Sequence, residues 1–312
     1  MEIAIETQGL TKRFGLVRKL TAVDSLDMKI EKGTVHGFIG PNGAGKTTTI
    51  KMLTGALRPT SGEAFVFGYP AGTNAAKSHI GYSPEHPNFY SLTAFEFLVY
   101  NARICGIPTK DAMERAEQLL KWMGLEAFRD RNARSFSAGM KQKLSLLQAL
   151  IHNPDILVLD EPTANLDPIG RYEVLHKIRA LAEKEKKTIF VSSHILDELE
   201  KVVDHVTIIN KGKVVIQSEI EELRRRFSTN RFIIETADNP KYVGIVSGLP
   251  QVKEARINHE GNIEVVVEDP DKFKSALFSK FRGREGLLRA FYPLRMSLEN
   301  IFLSVMGDEN DK

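Results

Sequence analysis

The sequence has a single cysteine, Cys105, in 312 residues, and a single tryptophan, Trp122. One thiol excludes an internal disulfide and any cysteine-based zinc site. Long hydrophobic runs are missing too: no stretch approaches the ~18 apolar residues needed to span a bilayer. The opening Met1-Glu2-Ile3-Ala4-Ile5-Glu6 lacks a basic segment followed by an apolar core, so no secretion signal is read and a cytosolic chain is expected. Charge of one sign is also scarce. Lys and Arg number 43 against 40 Asp and Glu, a formal net charge of +3, which defines no nucleic-acid-binding face although it leaves room for a local patch; no nucleic-acid partner is expected. What remains, 42% hydrophobic and 27% charged residues, suits a globular chain long enough for one large or two medium domains. If the protein works at a membrane, another chain supplies the membrane part.

Short β-branched runs alternate with helical patterns in the first part, which argues for an α/β fold. Val35-His36-Gly37-Phe38-Ile39 reads as a strand, and Ile50, Leu53 and Leu57 then recur at helical spacing. Ile156-Leu157-Val158-Leu159 and Thr188-Ile189-Phe190-Val191 are unbroken runs of the kind buried on both faces of a parallel sheet. Residues of about 91–150 read as a helical subdomain. Thr93-Ala94-Phe95-Glu96 fits a capping box, and Gly124 stands where a helix C-terminal glycine belongs. Composition shifts at the charged stretch from Glu219 to Arg226, in which Arg224-Arg225-Arg226 reads as a solvated linker face or a lipid-headgroup contact. Beyond it the pattern predicts strand 231–236, helix 239–247, strands 252–258 and 262–268, helix 270–281, strand 287–292 and a closing helix 297–306. That βαββαβ order matches a small α+β, ferredoxin-like unit. The expected domains are therefore 1–218 and 219–312.

Gly40-Pro41-Asn42-Gly43-Ala44-Gly45-Lys46-Thr47 fits G-x-x-x-x-G-K-[ST] between a predicted strand and a predicted helix. Glycines let backbone N–H groups converge on phosphate oxygens, and the helix N-terminus adds partial positive charge. Lys46 can reach the β and γ phosphates, the Thr47 hydroxyl can ligate Mg²⁺, and Thr48 is counted with this cradle. Asp160 and Glu161 end the second buried run, at the strand end where parallel sheets hold ligands. Asp160 is placed to hold Mg²⁺ through water and Glu161 to polarise an attacking water.

With Phe136-Ser137-Ala138-Gly139-Met140-Lys141-Gln142, Leu159-Asp160-Glu161-Pro162, Asn165-Leu166-Asp167 and His194 following the P-loop in this order, residues 1 to about 218 resemble ATP-binding cassette (ABC) proteins. The resemblance implies a P-loop NTPase cassette that binds ATP and Mg²⁺. It also implies that two cassettes close head to tail around two ATP molecules, each site taking its P-loop from one chain and its signature from the other. Ser137 and the Gly139 amide then face the partner's γ-phosphate, although Ser137 also fits an ordinary helix N-cap. His194 resembles the switch histidine that contacts the γ-phosphate. Asp167 precedes Pro168, which fits a helix cap as well as the dimer interface. Phe14 resembles the aromatic that stacks on adenine, the alternative being a core residue. The remaining histidines show no metal-ligand spacing, and Trp122 reads as packing.

The signature, usually Leu-Ser-Gly-Gly, departs here at Phe136 and Ala138, and Glu85 stands where many relatives carry a glutamine near Mg²⁺ and the membrane partner. Both departures, with the tail Ser297-Leu298-Glu299-Asn300-Ile301-Phe302-Leu303, resemble the drug-resistance and antibiotic-export branch with separate membrane subunits. The implied protein is an exporter ATPase on the cytoplasmic face of the membrane, paired with a second cassette, two copies of this chain in preference to a heterodimer. A separate permease would dock near exposed residues around Phe89 and Tyr90, beside Glu85, the alternative being that these belong to the local core. Two alternatives stay open: a non-transport ABC ATPase of translation or DNA maintenance, and a dimerisation module with little turnover. One P-loop and no long heptad pattern weigh against the former; Glu161 and His194 weigh against the latter.

Overall fold

The structure is a computed structural model and describes residues 2–15, 20–227, 230–282, 287–294 and 296–310. The backbone divides into two compact units, Met1–Ile220 with Ser304–Lys312, and Glu221–Leu303. In chain order the first unit runs β1 (Ile3–Phe14), β2 (Leu20–Glu31), β3 (Val35–Ile39), α1 (Lys46–Leu53), β4 (Ser61–Val66), β5 (Tyr69–Pro70), α2 (Asn74–Ser78) and β6 (Ile80–Ser83). Then come α3 (Ala94–Ile104), α4 (Thr109–Trp122), α5 (Ala138–Leu150), β7 (Ile156–Asp160), α6 (Pro168–Glu185), β8 (Thr188–Ser193), α7 (Leu196–Leu199), β9 (His205–Asn210) and β10 (Lys213–Glu219).

An antiparallel sheet has the order β2-β1-β4-β5, and a second sheet the order β10-β9-β3-β8-β7-β6. In the second, β9, β3, β8, β7 and β6 are parallel and β10 lies antiparallel on the edge. Every residue of β3, β7 and β8 is buried, as their near-continuous apolar sequences require of strands covered on both faces. Phe38 and Phe190 meet at 5.2 Å between ring centroids, and Phe38, Ile50, Leu53, Val158 and Phe190 share one core. Register pairs Ile39 with Ser193, Asp160 with Ser192, and Ser83 with Leu159. The loops carrying Gly40–Thr47, Glu85, Asp160–Glu161 and His194 therefore all leave the sheet along one rim.

α3 opens with the full reciprocal capping box of Thr93 and Glu96, and Gly124, at φ +72°, follows α4. Arg115 of α4 donates to the carbonyls of Leu150 and Ile151, satisfying acceptors left open at the end of α5. Lys177 stands 4.9 Å from the centre of the half-buried Trp122 ring. Two expectations fail in this unit. Helix α1 stops at Leu53 and does not reach Leu57, because Gly55 turns at φ +74° and lies so close to Gly72 that a Cβ would come within 2.3 Å of its Cα. Leu57 packs on the core from the loop beyond. Phe89 is not exposed like Tyr90; it is half-buried, edge-to-face on Phe97 at 4.9 Å.

The charged stretch forms α8 (Ile220–Phe227), amphipathic rather than a wholly solvated linker: Ile220 and Leu223 are buried, Arg224 pairs with Glu221, and Arg225 and Arg226 are exposed. The second unit has β11 (Arg231–Thr236), α9 (Asn239–Ser247), β12 (Val252–Ile257), β13 (Ile263–Val267), α10 (Pro270–Phe281) and β14 (Leu288–Pro293), before the closing α11 (Leu298–Asn310). Its sheet is antiparallel in the order β12-β13-β11-β14, the ferredoxin-like arrangement. Phe232, Ile234, Val265, Phe273 and Leu277 fill its core. Among the described residues, no helix is long and apolar enough to cross a membrane.

Candidate nucleotide site

The phosphate cradle is built by close approach. Gly40 leaves β3 so near β9 that a Cβ would stand 2.4 Å from the Ile209 carbonyl oxygen. Gly45 adopts φ +109°, a left-handed conformation suited to glycine, and caps α1 with only 2.5 Å between a Cβ there and the Ala22 carbonyl oxygen. The first turn of α1 has no acidic residue and no side-chain cap, so its N-terminus keeps its partial positive charge for an anion. Ala44 is buried, Thr47 and Thr48 are half-buried, and Pro41, Asn42 and Gly43 are exposed.

Lys46 reaches across this loop. Its Nζ donates to the Gly40 carbonyl at 2.7 Å and stands 3.9 Å from Glu161 Oε1. Burial lowers its pKa, while Glu161, Asp160 and Glu85 oppose that shift by their negative charge. Glu85 therefore lies within electrostatic reach of Lys46, although its carboxylate is half-exposed and 3.6 Å from His86 Nε2. Tyr82 gives a second reading of the same field: burial, with Asp160 and Glu85 nearby, pushes its hydroxyl up to about 12.

Asp160 is 1% exposed and Glu161 6%. Glu161 takes φ +49°, a left-handed conformation that costs a non-glycine residue about 1–3 kcal/mol and that clusters at functional sites. Its Oε2 lies 2.8 Å from His194 Nδ1 and 3.4 Å from the His194 amide. A carboxylate only accepts, so Nδ1 carries the proton. His194 itself is about half-exposed.

Lys46, Asp160, Glu161, His194 and, at longer range, Glu85 form one group. Ser137, Gly139, Asp167 and Phe14 stand apart from it: among the described residues, no hydrogen bond or ion pair joins these four to the group. Ser137 caps α5, accepting from the Met140 amide, and Asp167 caps α6, accepting from the Gly170 amide at 2.8 Å. A Cβ on Gly139 would lie 3.0 Å from Leu166, so the first turn of α5 rests on the turn leading to Asp167. Phe14 ends β1 at 40% exposure, with Lys12 Nζ 5.3 Å from its ring centre; it is not core.

Two buried residues join the group without having been singled out for it. Gln142, inside the signature stretch, donates to the Glu161 carbonyl at 3.4 Å. Ser192 hydrogen-bonds Asp160 Oδ1 at 2.6 Å and accepts the Glu161 amide at 3.1 Å. The only signal for Ser192 is a hydroxyl pair, Ser192-Ser193, interrupting an otherwise apolar strand just before His194.

The donor set fits a Mg²⁺–triphosphate. Asp160 Oδ2 is buried and has no hydrogen-bond partner, an orphan acceptor on a carboxylate whose charge reaches Lys46 in the uncapped first turn of α1. Hard oxygen ligands of this kind, a hydroxyl and a carboxylate supplemented by phosphate oxygens, are what Mg²⁺ takes.

Comparison with known proteins bears on the whole chain. The family model "ABC transporter" matches residues 23–164, and "ATP-binding protein DrrA1-3-like, C-terminal domain" matches residues 219–306. The bacitracin transport ATP-binding protein BcrA of Bacillus licheniformis is 40% identical over 85% of this chain and 85% of its own. The daunorubicin/doxorubicin resistance ATP-binding protein DrrA of Streptomyces peucetius is 32% identical over 99% of this chain and 94% of its own. A solved dimeric ATP-binding cassette in a post-hydrolysis state with ADP and Pi is 22% identical, with a TM-score of 0.65 over 69% of this chain and 98% of its own, a likeness of fold. Identity sustained along nearly the full length of such relatives assigns the chain to the ABC transporter family, as one of its ATP-binding, ATP-hydrolysing proteins.

Proposed function

We propose that the chain is the ATPase of a drug or antibiotic exporter, working on the cytoplasmic face of a membrane through a separate permease. Two cassettes close head to tail on two ATP molecules, and hydrolysis lets them reopen. The observation that carries this reading is the constellation at the strand rim: buried Glu161, held in a left-handed turn, hydrogen-bonded to His194 and facing Lys46. Full-length similarity to BcrA and DrrA supports the class of cargo, and the match over residues 219–306 supports residues 219–312 as an accessory domain of that branch.

Each residue has a physical role in this reading. Gly40, Pro41, Asn42, Gly43, Ala44 and Gly45 shape the loop whose amides meet the phosphates, with Thr48 in the first helical turn. Lys46 turns from the Gly40 carbonyl to the β and γ phosphates and offsets their charge. Thr47 and Asp160 Oδ2 would hold Mg²⁺, with Glu85 contributing negative charge nearby. Bound Mg²⁺ supplies Lewis-acid stabilisation of charge on the phosphate oxygens. Glu161 orients and deprotonates the attacking water, and His194 braces Glu161. Phe14 stacks on adenine. Ser137 and Gly139 serve the partner's nucleotide, which accounts for their separation from this chain's own group, and Asp167 lines the interface between cassettes.

Replacing Glu161 by Gln tests the core of the reading. General-base catalysis contributes roughly 10²–10⁴-fold. Turnover is expected to fall by about that factor while ATP binding, measured by equilibrium dialysis, persists and an ATP-bound dimer accumulates. A Glu161→Gln chain with near-normal turnover would remove Glu161 from the chemistry.

A further inference from the structure

β8 lies between β3 and β7, and all of its residues are buried. Strands in that position are expected to be apolar, yet Ser192 is 0% exposed. A buried hydroxyl persists where its hydrogen bonds are made, and those of Ser192 all run to the two acids of the neighbouring strand end. Register sets Ser192 opposite Asp160. Its one hydroxyl hydrogen goes to Asp160 Oδ1 at 2.6 Å, since a carboxylate can only accept. The same oxygen accepts the Glu161 amide at 3.1 Å, and the Ser192 carbonyl stands 3.2 Å from that amide. One serine thus fixes the side chain of the first acid and the backbone of the second at the point where the second turns to φ +49°. Oδ2 is the Asp160 oxygen left without a partner.

We propose that Ser192 is a positioning residue for Mg²⁺: by holding Asp160 Oδ1 it presents Oδ2 to the ion and its waters, and by holding the Glu161 amide it keeps the following turn in place. The proposal rests on the reading of Asp160 as a Mg²⁺-holding residue. Removing Ser192 leaves Oδ1 unpaired and frees the carboxylate to rotate about its terminal torsion. Loss of a hydrogen bond that orients a metal ligand lowers metal affinity on the order of 10–100-fold. Binding of bare ATP uses the loop amides and Lys46, and among the described residues no hydrogen bond joins these to Ser192.

The test measures binding, not turnover. In the full chain carrying Glu161→Gln, the ATP dissociation constant is measured in excess chelator and in excess Mg²⁺; their ratio reports how strongly the ion and ATP support each other on the protein. Ser192→Ala, which nearly conserves volume, is expected to shrink that ratio about 10-fold with little change in the chelator value. Ser192→Thr, which restores a hydroxyl, is expected to recover most of it. Asp160→Asn serves as control. An unchanged ratio in Ser192→Ala beside a reduced one in Asp160→Asn overturns the proposal and leaves the Asp160 reading standing. An unchanged ratio in Asp160→Asn overturns that reading and the proposal together. Circular dichroism checks that each variant is folded; if Ser192→Ala is not, Ser192→Cys, a much weaker donor of similar size, carries the same expectation.

Discussion

Charge at the phosphate cradle is decided by few residues, and Glu85 is the one whose position its neighbours reveal. It bears on both Lys46 and Tyr82 together with Asp160, so its negative charge reaches the residues of the cradle. For unit charges ~6 Å apart at an effective dielectric of ~20, Coulomb's law gives ~3 kcal/mol. Half-exposure of Glu85 reduces the net effect to about 1 kcal/mol. Glu85→Gln is accordingly expected to tighten Mg²⁺-free ATP binding several-fold and to change MgATP binding less. Titration of ATP in chelator and in Mg²⁺ reads this directly; equal affinities for both chains in both buffers would confine Glu85 to coupling with a partner. Most of the site was legible at this scale because its chemistry sits in contiguous motifs, Gly40–Thr47 and Asp160–Glu161. Ser192 was not, because its partners lie far back in the chain, on the neighbouring strand, and two adjacent serines closing a strand carry no spacing that points to them. For Phe89 the sequence left docking surface and local core both open, because its packing depends on Phe97 across a turn.

Elements were legible wherever burial and period agreed. β3 is wholly buried, and Thr93 and Glu96 form their capping box as written. α1 ended early because a tertiary constraint, the close approach of Gly55 to Gly72, overrides a periodicity that continues through Leu57. The arginines after Glu219 entered a helix because Ile220 and Leu223 supply a buried face that charge counting alone obscures. β3 also carries an ionisable group inside the sheet. His36 is buried with Nε2 2.7 Å from Thr207 Oγ1, and its ring stacks on His205 at 6.2 Å. Burial, helped by the charge His205 can acquire, holds its pKa down to about 3 from 6.5. The folded state therefore keeps His36 neutral, while the unfolded chain takes up a proton below pH 6.5. Stability is fully present above that value and falls as pH drops towards 3, by about 2 kcal/mol at pH 5. Melting temperatures at about pH 7.5 and about pH 5 should differ less in His36→Gln, which keeps a hydrogen-bonding group without the titration, than in the parent chain. An identical acid shift in both would remove His36 as its source.

At the scale of the whole molecule, the residues divide into two sets. Lys46, Asp160, Glu161 and His194 gather on one rim of the parallel sheet, whereas Ser137 and Gly139 start α5 without a hydrogen bond or ion pair to them among the described residues. If the second set serves a neighbouring cassette's nucleotide, as proposed, each ATP site is complete only between two chains. Mixing two inactive chains measures that most directly. Ser137→Arg obstructs γ-phosphate docking by bulk and spoils the signature, while Lys46→Ala spoils the P-loop. In a mixed dimer, one site pairs the intact P-loop of the Ser137→Arg chain with the intact signature of the Lys46→Ala chain. Each variant alone is expected to be inactive and their mixture to recover ATP turnover as mixed dimers form; mixed dimers shown to form without any recovered turnover would contradict a site shared between chains.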